Sequence, residues 1–133
     1  MTYHAPKKSL GQNFLTSIPA RIAMKDAGEL TSSDVVLEVG PGKGFLTEEL
    51  LKTGASVIAL EKDRDLIPLL NEKFKNETAT KQLVITEGDV LTFDPTSHIA
   101  LNSSYKLIAN IPYYITGAIL SRYLSHHHQP TMM

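Results

Sequence analysis

The run VVLEVGPGKGF, from Val35 to Phe45, constrains the fold more than any other stretch of this sequence. It begins with Val35–Val39, a short, apolar and largely β-branched segment, which is typical of a strand buried on both faces of a sheet. Gly40, Gly42 and Gly44 follow at once, and glycine adopts positive φ and lets a ligand approach the backbone closely. The next segment, FLTEELLKTG, has apolar side chains at helical spacing. The run therefore predicts a strand, a glycine turn and a helix.

The same alternation continues along the chain. Further strands are predicted at Ser56–Glu61, Leu83–Asp89 and Tyr105–Ile111, and further helices at 18–27, from about 64 to 74 and at 116–124. Strands that alternate with helices indicate right-handed crossovers. The predicted fold class is therefore α/β, with a doubly wound, mostly parallel sheet.

Composition sets broad limits on this fold. The chain has 133 residues, 42% of them hydrophobic, which suits one globular domain, and it has no cysteine. A chain without disulfides or a stretch of roughly 20 apolar residues is expected to be cytoplasmic. The net charge is -1, yet the first 25 residues contain Lys7, Lys8, Arg21 and Lys25 and no acid. That end either faces an anion or is a solvated tail, and charge alone favours the tail.

The spacing of the three glycines helps to identify the class of ligand. Glycines between a strand and a helix N-terminus are typical of sites that bind phosphate or nucleoside groups. A dinucleotide fingerprint, Gly-x-Gly-x-x-Gly, would require a third glycine at position 45, which is Phe45. The spacing therefore disfavours a nicotinamide-dependent oxidoreductase.

Acidic residues end two of the predicted strands. Glu61 is placed to accept hydrogen bonds from both ribose hydroxyls; the alternative is a strand-end acid that pairs with Lys62 or Arg64. Asp89, or a backbone N–H beside it, is placed to meet an adenine edge. Because the carboxyl ends of parallel strands form the ligand-binding edge of such sheets, these predictions converge on one place. Glu38, within the first strand, holds either a positive ligand group through water or local backbone.

The segment ANIPYYIT, Ala109 to Thr116, suggests chemistry at that edge. An exocyclic aromatic amine is a poor nucleophile, since its lone pair is conjugated with the ring. The side-chain carbonyl of Asn110 and the backbone carbonyl of Pro112 are suited to accept its two N–H groups, while Tyr113 stacks on a flipped base. In-line displacement on a sulfonium methyl then depends mainly on positioning. The alternative is a helix N-terminus with a turn-forming Asn and Pro.

Five segments together resemble, in order and spacing, the ribosomal RNA adenine N6,N6-dimethyltransferases, which use S-adenosylmethionine. These segments are KKSLGQNFL, LEVGPGKGFLT, ALEKDRDL, EGDVL and ANIPYYIT, and the resemblance runs from Lys7 to the last residue. It implies a Rossmann-like methyltransferase sheet. It also implies site roles: Gln12, Asn13 and Leu15 over the cofactor, Gly40 at its methionine part, Glu61 at the ribose, Asp89 at the adenine, and Asn110 between cofactor and target base.

Two branches of the family differ in substrate. Most members resemble the enzyme that dimethylates two adjacent adenines near the 3′ end of small-subunit rRNA during ribosome assembly. A sister branch modifies one large-subunit adenine and confers macrolide resistance. The segment KKSLGQNFL resembles the first branch more closely, and its Lys7 and Lys8 are expected to bind RNA. The implied partner is rRNA of the small subunit, with no membrane or metal, and the expected state is a monomer.

Length is where this chain departs from the family. Members have a seven-stranded sheet and a helical RNA-binding domain, whereas four strands are predicted here. We therefore expect a basic arm at residues 1–16 and, at 17–133, the N-terminal part of an S-adenosylmethionine-binding domain that is truncated after its fourth strand. A non-catalytic module that binds S-adenosylmethionine or rRNA is the alternative. Met132 and Met133 would start the next strand, and His126 to His128, without metal-site spacing, are expected to be a solvated helix end.

Overall fold

A computed structural model describes residues 18–100, 103–109, 116–125 and 128–132. Its strands are Val35–Val39 (β1), Ser56–Glu61 (β2), Leu83–Glu87 (β3) and Lys106–Ala109 (β4). Its helices are Ile18–Ala27 (α1), Phe45–Lys52 (α2), Ile67–Lys73 (α3), Lys75–Ala79 (α4) and Thr116–Ser125 (α5). Short 3₁₀ turns occur at Arg64–Leu66 and Pro95–Ser97. No helix in these ranges is both long and apolar enough to cross a membrane.

The four strands form one parallel sheet in the order β3-β2-β1-β4. The chain moves from β1 outward to β3 and then returns to the other side of β1, so the strand order reverses between β1 and β4. Register pairs Val39 with Ala109 at the carboxyl ends of these two strands. The point of reversal is where open α/β sheets bind ligands. The predicted fold class is confirmed.

Apolar side chains cover both faces of the sheet, which explains why the strand sequences do not alternate between apolar and polar residues. On one face Val36, Val57 and Ala59 pack with residues of α2 and α3, including Leu46, Leu50 and Leu70. On the other face Leu37, Ile58 and Leu60 pack with Leu107 and with Ile119 and Tyr123 of α5. Successive strand residues point to opposite faces, and helices or loops bury each face. The sheet is therefore doubly wound.

The third strand ends two residues earlier than predicted, and the fourth begins one residue later. Gly88 donates the last hydrogen bond to β2, to the Glu61 carbonyl at 3.0 Å. The chain then turns, because the Asp89 carbonyl accepts from the N–H groups of Thr92 and Phe93 at 3.0 and 2.8 Å. Asp89 thus lies in a turn beyond β3. Pro68 occupies the first turn of α3, where its missing N–H leaves no helical hydrogen bond unmade.

The open side of β4 is partly covered by residues near the end of the sequence. The Leu107 N–H donates to the Met132 carbonyl at 2.8 Å, and the Thr131 N–H donates to the Tyr105 carbonyl at 2.7 Å. Met132 forms an isolated bridge with Lys106 in parallel orientation, at the position where the next strand is predicted to start. The strand itself stays a prediction. Met133 lies outside the described residues.

His128 corrects one prediction. It is buried rather than solvated, with 5% of its surface exposed. Its Nε2 donates to the Ser103 carbonyl at 2.8 Å, and its ring meets the Tyr105 ring edge-on, with centroids 5.0 Å apart. Tyr105 in turn donates its hydroxyl hydrogen to the His128 carbonyl at 2.9 Å. The chain returns to β4 at His128, and three adjacent histidines in the sequence do not predict this tertiary contact. His126 and His127 lie outside the described residues.

Candidate functional site

The glycine turn that follows β1 has left-handed backbone at three positions, with φ of 71° at Gly40, 59° at Gly42 and 88° at Gly44. The Gly40 N–H extends the pairing of β1 with β2 by donating to the Leu60 carbonyl at 2.9 Å. At Gly44 the reason for glycine is steric as well as conformational. A Cβ there would lie 2.6 Å from the Phe74 ring, so this glycine permits close packing of the turn on the end of α3.

Glu61, the last residue of β2, joins the second strand to the glycine turn. Its side chain is buried, and Oε1 accepts from the Gly42 N–H at 2.9 Å. Oε2 accepts from the Asp63 N–H at 2.8 Å. Each carboxylate oxygen retains a second lone pair. Glu61 is therefore a fixed carboxylate at the carboxyl end of the sheet, chemically suited to accept hydrogen bonds from two neighbouring hydroxyls.

Basic neighbours of Glu61 are engaged with other acids. Lys62 lies 3.5 Å from Asp89 Oδ2, and Arg64 Nε lies 3.2 Å from Glu87 Oε2. The alternative predicted from the sequence, an ion pair of Glu61 with Lys62 or Arg64, therefore does not form. The buried carboxylate is held by backbone N–H groups instead.

Asp89 lies on the same edge, beyond the end of β3. Its Oδ1 accepts from the Leu91 N–H at 2.9 Å, which fixes the carboxylate in its turn. Its side chain is 36% exposed, and Oδ2 faces the ammonium group of Lys62. The structure thus brings the glycine turn, Glu61 and Asp89 to one edge of the sheet.

Glu38 lies below this edge and is buried, with 1% of its surface exposed. Thr47 Oγ1, in α2, donates to its Oε1 at 2.6 Å. Oε2 is buried and has no hydrogen-bond partner among the described residues. Burial raises the pKa of Glu38 to about 7, opposed by the Thr47 hydrogen bond and supported by the negative charge of Glu61. The sequence suggested a ligand group or local backbone as the partner of Glu38. The observed partner is the Thr47 hydroxyl, which no local sequence pattern indicates.

The remaining predicted site residues lie outside the described residues. They are Lys7, Lys8, Gln12, Asn13, Leu15, Asn110, Pro112 and Tyr113. Their roles stay predictions. Within the part of the chain that the structure describes, no group of three or more His, Asp or Glu side chains is arranged to hold a metal ion.

Sequence comparison connects this chain with known proteins. A family model described as "Ribosomal RNA adenine dimethylase" matches residues 3–133. "Ribosomal RNA small subunit methyltransferase A" of Dehalococcoides mccartyi is 43% identical over 127 residues, which are 96% of this chain and 43% of that protein. The chain therefore spans less than half the length of this curated relative.

Two solved structures resemble the fold closely. The 23S rRNA methyltransferase ErmE superposes with a TM-score of 0.72 at 30% identity, covering 90% of this chain and 44% of its own. A dimethyladenosine transferase from Plasmodium falciparum gives a TM-score of 0.70 at 27% identity, covering 86% of this chain and 39% of its own. Both likenesses extend over most of this chain but over less than half of the other protein.

Proposed function

Since the chain belongs to the ribosomal RNA adenine dimethylase family, we propose that it forms the cofactor-binding part of an enzyme that dimethylates adenine N6 in small-subunit rRNA. The proposed substrate is the pair of adjacent adenines near the 3′ end, and the proposed role is in ribosome assembly in the cytoplasm. The protein acts as a monomer on rRNA of the small subunit. A large-subunit substrate is the alternative within the family.

The observation that carries this proposal is the state of Glu61. A buried carboxylate held by the N–H groups of Gly42 and Asp63 is fixed before any ligand arrives. Such an acceptor suits the two ribose hydroxyls of S-adenosylmethionine, with Gly40 beside the methionine part and Asp89 beside the adenine. The residues at this edge therefore fit this cofactor. Gln12, Asn13 and Leu15 are proposed to cover it from the N-terminal side.

Target recognition is assigned to the residues that follow β4. In the sequence Asn110 comes directly after Ala109, which pairs with Val39 at the end of β1. The carbonyls of the Asn110 side chain and the Pro112 backbone accept the two N–H groups of the adenine amine and localise its lone pair. Tyr113 stacks on the base. S-adenosylmethionine, when bound, would supply an electrophilic methyl group on a sulfonium centre. The oriented N6 would bond to this methyl carbon as its C–S bond breaks, with S-adenosylhomocysteine as the leaving group and a proton lost from the amine.

The preference for the small subunit is supported by the comparisons. Identity is 43% with the small-subunit methyltransferase from Dehalococcoides mccartyi and 30% with the 23S enzyme ErmE. Lys7 and Lys8 are proposed to contact RNA phosphates, since Lys side chains supply the salt-dependent part of RNA affinity.

The proposal is tested with the protein at full length, labelled S-adenosylmethionine, and purified small and large subunits that lack adenine methylation. We expect N6,N6-dimethyladenosine in the nucleoside digest of the small subunit alone. Asn110→Ala should lower the rate by roughly 100-fold or more, because an acceptor that orients the nucleophile is removed. Asn76→Ala, at an exposed position in α4, is the matched control. Full activity of Asn110→Ala would contradict the assigned role, and label in the large subunit alone would favour the other branch.

A further inference from the structure

The last residue of α3, Lys73, reaches back to the glycine turn. Its ammonium group donates to the Lys43 carbonyl at 3.0 Å, across 30 positions of sequence. It also forms an ion pair with Glu48 in the first turn of α2 and lies 4.9 Å from the centroid of the Phe45 ring. This one cation, whose side chain is 33% exposed, therefore contacts the turn, the residue that follows the turn, and the first turn of α2.

The peptide group between Lys43 and Gly44 is fixed at both ends. Its carbonyl accepts from Lys73, while its N–H, which points the opposite way in a trans peptide, donates to the Pro41 carbonyl at 2.8 Å. The ring of Phe74, next to Lys73, fills the space beside the Gly44 Cα. Lys73 and Phe74 thus hold the turn at Gly44, and Glu61 holds it at Gly42.

This arrangement matters because of the backbone that it restrains. Glycine loses more conformational freedom on ordering than any other residue, and this turn has three glycines with positive φ. If the turn were ordered only by the ligand, the free energy of ordering would be subtracted from the free energy of binding. A turn that is already ordered avoids that loss.

We propose that Lys73 is a positioning residue for the cofactor site, which fixes the Lys43–Gly44 peptide and so pre-organises the glycine turn for S-adenosylmethionine. This inference rests on the proposed function, and it adds to it a residue outside the predicted site. Lys73 acts through the turn and through α2. Its effect therefore falls on the affinity for cofactor and not on the methyl transfer step.

The test uses full-length protein with Lys73→Met, which keeps an unbranched stem but removes the charge and the donors. Lys73→Arg keeps the charge and the donors. Lys75→Met is the matched control, since Lys75 is 71% exposed and its ion pair is with Glu72. The measurements are calorimetric titration with S-adenosylmethionine and S-adenosylhomocysteine, KM and kcat, amide exchange at Gly44 without cofactor, and thermal unfolding without cofactor.

We expect Lys73→Met to raise both dissociation constants roughly tenfold, as loss of one charged hydrogen bond would. KM for S-adenosylmethionine should rise with them, while kcat at saturating cofactor stays within about twofold of wild type. Exchange at Gly44 should be faster, Lys73→Arg should restore most of the affinity, and Lys75→Met should match wild type.

A Lys73→Met protein that unfolds at a lower temperature but binds cofactor with unchanged affinity would overturn the inference, because Lys73 would then stabilise the fold alone. Unchanged exchange at Gly44 would overturn it also. Wild-type protein that binds neither S-adenosylmethionine nor S-adenosylhomocysteine would overturn the proposed function, and this inference with it. Failure of the Lys73 inference is therefore distinguishable from failure of the proposed function.

Discussion

At the scale of single residues, Glu38 links stability to pH. Its pKa is about 7 in the folded protein against 4.5 for an ordinary Glu, so the folded state binds the proton more tightly. The stability that this proton contributes is complete below 4.5 and is lost as the pH rises from 4.5 to 7, by up to about 3 kcal/mol.

We predict that Glu38→Gln, which mimics the protonated side chain, removes this dependence. Urea unfolding at about pH 5 and about pH 8 would measure it. The variant and wild type should be close in stability at the lower pH, and the variant should be more stable at the higher pH. If the free energy of unfolding changed equally between these two pH values in wild type and variant, the pKa of Glu38 would not be raised by folding.

Gly44 provides a second prediction at this scale. An L-residue at a φ of 88° is strained, and its Cβ would collide with the Phe74 ring. Gly44→Ala should therefore destabilise the protein by about 2 kcal/mol or more. Gly117→Ala is the control: Gly117 lies in α5, and no atom of the described residues would lie within 4 Å of its Cβ, so the change should be stabilising by about 0.5 kcal/mol. Equal midpoints in urea for the two variants would contradict the packing described at Gly44.

At the scale of elements, the segment at residues 128–132 depends on His128 for its attachment to β4. His128→Ala removes the donor to the Ser103 carbonyl and the edge contact with Tyr105. We predict a loss of about 2 kcal/mol in stability and faster amide exchange at Leu107, whose N–H donates to the Met132 carbonyl. The Gly88 amide, at the far side of the sheet, is the internal control. Unchanged protection of Leu107 would mean that the segment is held without His128.

The elements themselves were largely predictable, because each has a local signal. Strands such as Val35–Val39 and Ser56–Glu61 are short apolar runs, and both bounds are confirmed. The helix Lys75–Ala79 was missed, since its polar sequence KNETA has no apolar periodicity. The early end of β3 depends on the hydrogen bonds around Gly88 and Asp89, which no strand propensity encodes.

At the scale of the whole molecule, the site follows from topology. Parallel strands bring every carboxyl end to one edge, so an acid after a strand and a glycine turn after its neighbour predict a shared site. Glu61 and Asp89 were located in this way. The contact of Lys73 with the glycine turn was not predicted, because its partner Lys43 is 30 positions away and only the packed fold brings the two together.

The central claim is that this edge of the sheet is an S-adenosylmethionine site built on Glu61. Calorimetric titration of the full-length protein tests it most directly, with Glu61→Gln compared against Glu87→Gln, which changes an acid at the end of the neighbouring strand. We predict that wild type binds S-adenosylmethionine and not NAD, that Glu61→Gln weakens binding roughly tenfold or more, and that Glu87→Gln has little effect. Binding of NAD alone, or unchanged affinity in Glu61→Gln, would contradict the claim.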